Sequence, residues 1–179
     1  MSGRSQTVPV VGGSGYGSLV TESPQIVTHP EPVGRSRTNY IHRLAIDEPP
    51  GDRYEQVWTR TEDRQIFELC CIPFFPYGVS LGDRLAIADD GSFRVVQKSG
   101  HQTIRVVIHD AAYAHEHHAE FHDLIARTGA RAEFFGHAAT YWALDVDDHD
   151  HAQRVIDVLA PLSEARTLDW EWADPSPPG

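Results

Sequence analysis

The chain has 179 residues, 40% of them hydrophobic, and a formal net charge of -11 at pH 7. That apolar content supports an ordinary core without disulfides or structural metals. The excess of acid, with no cluster of Lys/Arg, repels polyanions and excludes sequence-independent binding to nucleic acid or to an anionic membrane surface. No apolar run is long enough to span a bilayer, and Val8, Val10 and Val11, interrupted by Pro9, make a poor signal-peptide core, so a cytoplasmic protein is expected.

Residues 1–38 combine glycine, serine and proline with scattered aliphatics, which predicts a flexible tail. Within it, Val10 to Ser18 (VVGGSGYGS) imitates a glycine-rich phosphate loop. Such a loop needs a strand before it and a helix after it, and neither pattern is present.

From 39 to 100 the signals are those of short strands: Tyr40 to Asp47, Tyr54 to Arg60, Gln65 to Ile72, Asp83 to Ala88 and Ser92 to Lys98. These are β-branched or aromatic runs separated by turn residues, among them Glu48-Pro49-Pro50-Gly51-Asp52, Leu81-Gly82-Asp83 and Asp89-Asp90-Gly91. Five short strands in so little chain cover their edges most simply by curling, which predicts a small antiparallel β-barrel-like unit. The neighbours Cys70 and Cys71 lie in one of these apolar runs and read as reduced, buried thiols.

Residues 101–174 predict a second, α+β unit. Thr103 to His109 alternates, with Ile104, Val106 and Ile108 on one face; a helix follows, then Ala130 to Phe135 paired through Gly136-His137 with Ala139 to Val146. Asp147, Asp148 and Asp150 mark the start of a second helix, whose apolar stripe is Ala152, Val155, Ile156 and Leu159 and which Pro161 ends or bends. Leu168 to Trp172 closes as a strand with Leu168, Trp170 and Trp172 on one face. The order β-α-β-β-α-β resembles the ferredoxin-like split βαβ fold. Residues 175–179 are expected to be loose.

Ile72 to Leu85 reads IPFFPYGVSLGDRL and is followed by the Gly100-His101 junction into a strand. It resembles the signature of the bacterial family called domain of unknown function 4265, in which a pattern IPFF-any-YG-aliphatic-S-any-GD recurs. The resemblance implies a domain of about residues 40–172 and no particular reaction. Physically, Pro73 and Pro76 stop the strand, Phe74, Phe75 and Tyr77 supply apolar surface, and Ser80 and Asp83 suit backbone capping. The functional version of the same stretch makes Phe75, Tyr77 and Asp83 the lining of a groove at the rim of the first unit.

Catalytic constellations are thin. Ser80 lacks a glycine-flanked elbow, and Cys70 and Cys71 adjoin only Leu69 and Ile72, which would not lower a thiol pKa. Asp145, Asp147 and Asp148 are accounted for by strand alternation and helix capping. The densest polar feature is AHEHHAEFH, Ala114 to His122. At about 100° per residue, Ala114, His117, Phe121, Leu124 and Ile125 form the buried face of the first helix, and His115, His118 and His122 step round one flank. Neighbours at three or four residues could share a zinc or another divalent transition metal. Three histidines along one helix do not converge on one ion, however, and the H-E-x-x-H template is absent, so no cofactor is expected.

The sheet face opposite the helices carries Arg105, Val107, His109, Glu133, Phe135, Tyr141, Asp169 and Glu171. A patch centred on Val107, Phe135 and Tyr141, with His109 beside it, either packs on the first unit or meets a protein or peptide partner. The leading expectation is a non-enzymatic interaction or regulatory module, with an immunity- or antitoxin-like protein as one version because an acidic surface suits a basic partner. The alternatives are a metal-dependent or small-molecule enzyme with its site between the units near the histidine helix, and a small-ligand sensor.

Overall fold

A computed structural model describes residues 25–47 and 51–174. The phosphate-loop imitation, most of the expected tail, the Glu48-Pro49-Pro50 stretch and residues 175–179 lie outside the described residues. The described chain is an α+β structure with two sheets and three α-helices.

The first sheet holds β1 (Gln25–Val27), β2 (Tyr40–Ala45), β3 (Arg53–Arg60), β4 (Phe67–Leu69), β5 (Arg84–Ile87) and β6 (Phe93–Gln97). β3 organises it: β2 pairs along nearly all of β3, while β1 lies parallel to its start and β4 antiparallel to its end. β4, β5 and β6 continue as antiparallel neighbours. The expected barrel does not close. β2 and the β5–β6 turn touch where Ala45 N–H donates to the Gly91 carbonyl, but no ladder joins β2 to β6. β4 is too short to carry the curl around, because Pro73 and Pro76 convert the chain after it into an irregular loop. The core of this sheet is Leu44, Val57, Leu69, Cys71, Val79 and Leu85.

The tail expectation fails for residues 25–38. β1 is a ladder strand, and the segment after it runs as a strap past Glu55 to the end of β4, where Gly34 N–H donates to the Cys70 carbonyl, with His29 only 3% exposed. Pro30 and Pro32 each restrict φ and so lower the entropic cost of ordering this segment, which a reading of composition counts as looseness.

The second sheet has the order β10 (Leu168–Trp172), β7 (Gln102–Ile108), β9 (Tyr141–Val146), β8 (Arg131–Phe135), all antiparallel. One face carries α1 (Ala111–Glu116), α2 (His118–Thr128) and α3 (His149–Glu164) over a core including Ile104, Val106, Trp142, Leu144, Val155 and Leu168. Asp110 caps α1 and Asp148 caps α3, and Gly129 ends α2 in the left-handed conformation at φ 90. Pro161 does not end α3, which continues to Glu164. No helix is long and apolar enough to cross a membrane among the described residues.

The first helix, expected as one with Ala114, His117, Phe121, Leu124 and Ile125 on its buried face, is two. His117, at φ −101 and ψ 11, caps both α1 and α2. The break resets the helical phase, so His117 is half-exposed, its ring on Tyr113 and its Nδ1 3.0 Å from Glu120, and is not a core residue. His118 turns inward instead.

Candidate functional site

The open face of the second sheet is organised in cross-strand rows. Asp169, Val107, Tyr141 and Phe135 are register partners across β10, β7, β9 and β8, and the next row is Glu171, Arg105, Ala143 and Glu133. The loop after β4 covers part of this face, packing Ile72 and Phe74, with Leu81, onto Ala143. The first row is left open. Beside that loop remains a groove of about 470 Å³, with Phe75, Tyr77 and Arg53 on one side and Val107, Phe135 and Tyr141 on the other.

Its wall is aromatic. Phe135 and Tyr141 stack with centroids 4.9 Å apart, and Phe75 meets Phe135 edge-on at 5.4 Å and Tyr141 at 6.1 Å. Tyr77 and Tyr141 are 57% and 38% exposed, so the apolar surface is offered to solvent and not consumed inside. At the floor, the Arg105 guanidinium lies 4.3 Å from the Tyr77 ring centroid, donates from Nη2 to the Pro76 carbonyl at 2.6 Å and from Nη1 to Glu171 at 3.4 Å. Tyr77 donates its hydroxyl to the same Glu171 oxygen at 2.8 Å, which holds the Tyr77 proton and raises its pKa. Burial pushes the Arg105 pKa down, with Tyr77 and Glu171 opposing.

What positions the Phe74–Phe75 wall is a buried ionic cluster. Glu55 comes from β3, where alternation aims it inward with Val57 and Thr59, and it is fully buried. Its carboxylate accepts from the backbone N–H of Phe74 at 3.0 and 3.1 Å and of Phe75 at 2.8 Å. Glu133, from β8 of the other sheet, accepts from Val33 N–H at 3.0 Å and Ile72 N–H at 2.8 Å. His29 stands between them, Nε2 2.9 Å from Glu55 and Nδ1 2.5 Å from Glu133, its ring stacked 4.6 Å from Phe74. Burial alone would lower the His29 pKa, but Cys71 beside it and the hydrogen bonds to Glu133 and Glu55 reverse this and raise it well above the ordinary value. Burial raises the Cys71 thiol pKa. The His29 ring nitrogens are hydrogen-bonded to the two carboxylates, one on each side.

Of the sequence-predicted residues, Phe75, Tyr77, Val107, Phe135 and Tyr141 meet in the groove. Asp83 does not. It is fully buried, and accepts from Ser80 N–H, Ser99 N–H and the Ser99 hydroxyl, with Lys98 3.2 Å away, because the Gly82 turn folds its side chain back into the loop. His109 stands just beyond the row, its Nε2 3.0 Å from Asp169 and its Nδ1 3.1 Å from the Arg166 carbonyl. Asp169 itself lines the groove.

The helix histidines are not gathered. The His118 ring packs 4.6 Å from Phe134 and 5.3 Å from Trp142, and His122 lies 6.3 Å from Trp142, while His115 is exposed. Among the described residues no group of three His, Cys, Asp or Glu side chains is placed to hold a metal ion. His118 and His122 thus share the neighbourhood of Trp142 on α2, while His115 lies apart on α1. Cys70 and Cys71 are both free and buried. Sequence reasoning missed His29, Glu55 and the anchoring of Arg105; a carboxylate at an inward position of the alternating strand Tyr54 to Arg60 was the available signal.

No curated protein matches the chain. The crystal structure of a hypothetical protein from Neisseria gonorrhoeae is similar in fold, with a TM-score of 0.54 and 19% identity over 75% of this chain and 92% of that one. The profile of the family described as Domain of unknown function (DUF4265) matches residues 55–170, from the glutamate that holds the Phe74–Phe75 loop to β10 at the groove's edge, and the chain belongs to that family.

Proposed function

We propose that this protein is an interaction module that takes a peptide segment of a protein partner in the groove between its two units. The four-stranded unit, read as ferredoxin-like, offers a sheet face that its own helices leave uncovered. The observation that carries the proposal is the aromatic wall of Phe75, Phe135 and Tyr141, left open beside the Val107 row. Partly exposed rings held rigid by their neighbours are what an interface uses as anchor pockets, since they bury a large area at little entropic cost. Arg53, Asp169 and Glu171 line the groove around the buried Arg105. That mixture favours a partner of mixed charge over the strongly basic one that an immunity- or antitoxin-like role would use.

Selection of a random-peptide phage library, displayed with free peptide C-termini, against the full chain tests this. Enriched peptides are expected to bind the wild type and to weaken by about tenfold or more with Val107→Asp and Tyr141→Lys. Both variants should keep the far-ultraviolet circular dichroism of the wild type. No enrichment, or binding that both variants leave unchanged, would remove the proposal. Stabilisation by a metabolite library at the same residues, without peptide enrichment, would make the groove a small-ligand sensor instead.

A further inference from the structure

We infer that the ligand of this groove presents a carboxylate to Arg105, and that Glu171 holds the anchor's place until that carboxylate arrives. The inference rests on the peptide-binding reading and names the chemistry it uses.

Arg105 is 7% exposed although it sits on the half-open face of a sheet. A guanidinium taken out of water needs its five donors satisfied, and it does so best with one carboxylate held in a two-pronged contact. Arg105 has no such contact. Nη2 is well bonded to the Pro76 carbonyl, Nη1 reaches Glu171 only at 3.4 Å, and Nε is buried with no hydrogen-bond partner among the described residues. Nor is Glu171 fully committed to Arg105: its oxygen is shared with the Tyr77 hydroxyl, and its side chain is 54% exposed. The buried cation is thus underpaired, and the acid facing it can move into solvent at little cost.

The covering pair is equally movable. Tyr77 lies over the guanidinium and is 57% exposed, so rotation of Tyr77 with Glu171 opens the cation to the groove. Val107 stands two residues from Arg105 on the same face, roughly 7 Å along the strand. A single terminal residue spans that distance, with its carboxylate on Arg105 and its apolar side chain against Val107, Tyr141 and Phe135. The occupant is therefore a peptide that ends in an aromatic or large aliphatic residue, captured by its C-terminal carboxylate.

The test is an NMR titration of the full, isotope-labelled chain with three probes: N-acetylphenylalanine, its amide, and an amidated phenylalanyl-aspartate dipeptide. The free acid is expected to shift the amides of Val107 and Tyr141 and to bind about tenfold more tightly than the amide, the scale of one hydrogen bond to a charged group. Glu171→Gln should tighten the acid and leave the amide unchanged, and Arg105→Met should abolish the preference. If Arg105→Met does not fold, Glu171→Gln decides alone. Equal binding of acid and amide, or shifts outside the groove, overturns the inference while leaving the phage-selected peptides to stand or fall separately. Equal binding of the amidated dipeptide overturns the terminal carboxylate. Discrimination between acid and amide with no enriched peptide instead removes the peptide reading and retains the anchor.

Discussion

His29 Nδ1 lies 2.5 Å from Glu133 Oε2, a contact between the strap after β1 and a strand of the other sheet. With Glu55 on the far side of the ring, one imidazolium ties both sheets together through the segment that composition marks as loose. The His29 pKa is raised well above the 6.5 of a free imidazole, so over the interval between the two values the folded state holds a proton that the unfolded chain has lost. The resulting stabilisation is complete below 6.5 and disappears as pH rises through the folded value. Urea unfolding followed across this range should show a midpoint that falls with pH in the wild type, with the excess slope absent in His29→Gln. Parallel pH profiles for the two proteins would sink the assignment.

Removing the ring altogether is a harsher change than neutralising it. His29→Ala leaves two buried carboxylates with only backbone donors, and should cost about 3–5 kcal/mol, the range for breaking a buried pair on one side. The companion variant His29→Ala/Glu133→Gln should recover part of that loss. A double variant no more stable than His29→Ala alone would mean the charge at Glu133 is not what the ring compensates.

The strap is also fixed by close approach. Gly34 donates its N–H to the Cys70 carbonyl at 2.8 Å, and a Cβ at residue 34 would stand 2.4 Å from that oxygen and 2.9 Å from the Cys70 Cβ. Its φ of −99 suits any residue, so the constraint is space and not backbone conformation. Gly34→Ala should therefore lift the strap from the sheet and destabilise by about 1–3 kcal/mol, the scale of overpacking. Limited proteolysis should then cut between residues 28 and 38 in the variant and spare the wild type. Wild-type resistance in Gly34→Ala would refute the close contact.

The order of strands and helices was legible because it rests on alternation and turn chemistry, which are local. Nine of the ten described strands coincide with runs of β-branched or aromatic residues, and Asp148 marks the start of α3 by capping. β1 escaped because three residues have no period of their own and exist only by pairing with β3. The groove's aromatic residues could be placed on one face by period-two counting. The covering of that face could not, since it depends on which loop lands on Ala143. The His117 break was hidden for a related reason: an unbroken 3.6-residue pattern fits the sequence, and only tertiary packing of His118 on Trp142 selects the second phase.

The helix histidines give a sharp contrast between neighbours. His118 fills the edge of the Phe134–Trp142 pair, whereas His115 and His122 are exposed. His118→Ala should cost about 1–2 kcal/mol through lost ring packing, and His115→Ala and His122→Ala should each stay within about 0.5 kcal/mol of wild type. Thermal unfolding with and without a chelator separates this from metal binding. Equal destabilisation by all three substitutions, abolished by the chelator, would restore a shared ion.

Glu55→Gln probes the link between the buried cluster and the groove. The carboxylate receives three hydrogen bonds from the N–H groups of Phe74 and Phe75 and faces His29 on its other side. A glutamine keeps the volume but offers one oxygen where the carboxylate offers two, and it brings an amide donor toward backbone N–H groups that cannot accept it. The Phe74–Phe75 backbone should therefore lose its hold before the sheets separate, since the ladders of β3 do not pass through these bonds. Hydrogen exchange is expected to quicken about tenfold or more at the Phe74 and Phe75 amides, for one lost charged hydrogen bond, while Val57 and Leu144 stay protected. Phe75 would then no longer be held against Phe135 and Tyr141, and peptide or N-acetylphenylalanine affinity should fall with the local protection. If exchange quickens uniformly, the cluster stabilises the whole fold and does not specifically set the groove wall. If it quickens locally while binding is untouched, Phe75 is not part of the recognition surface.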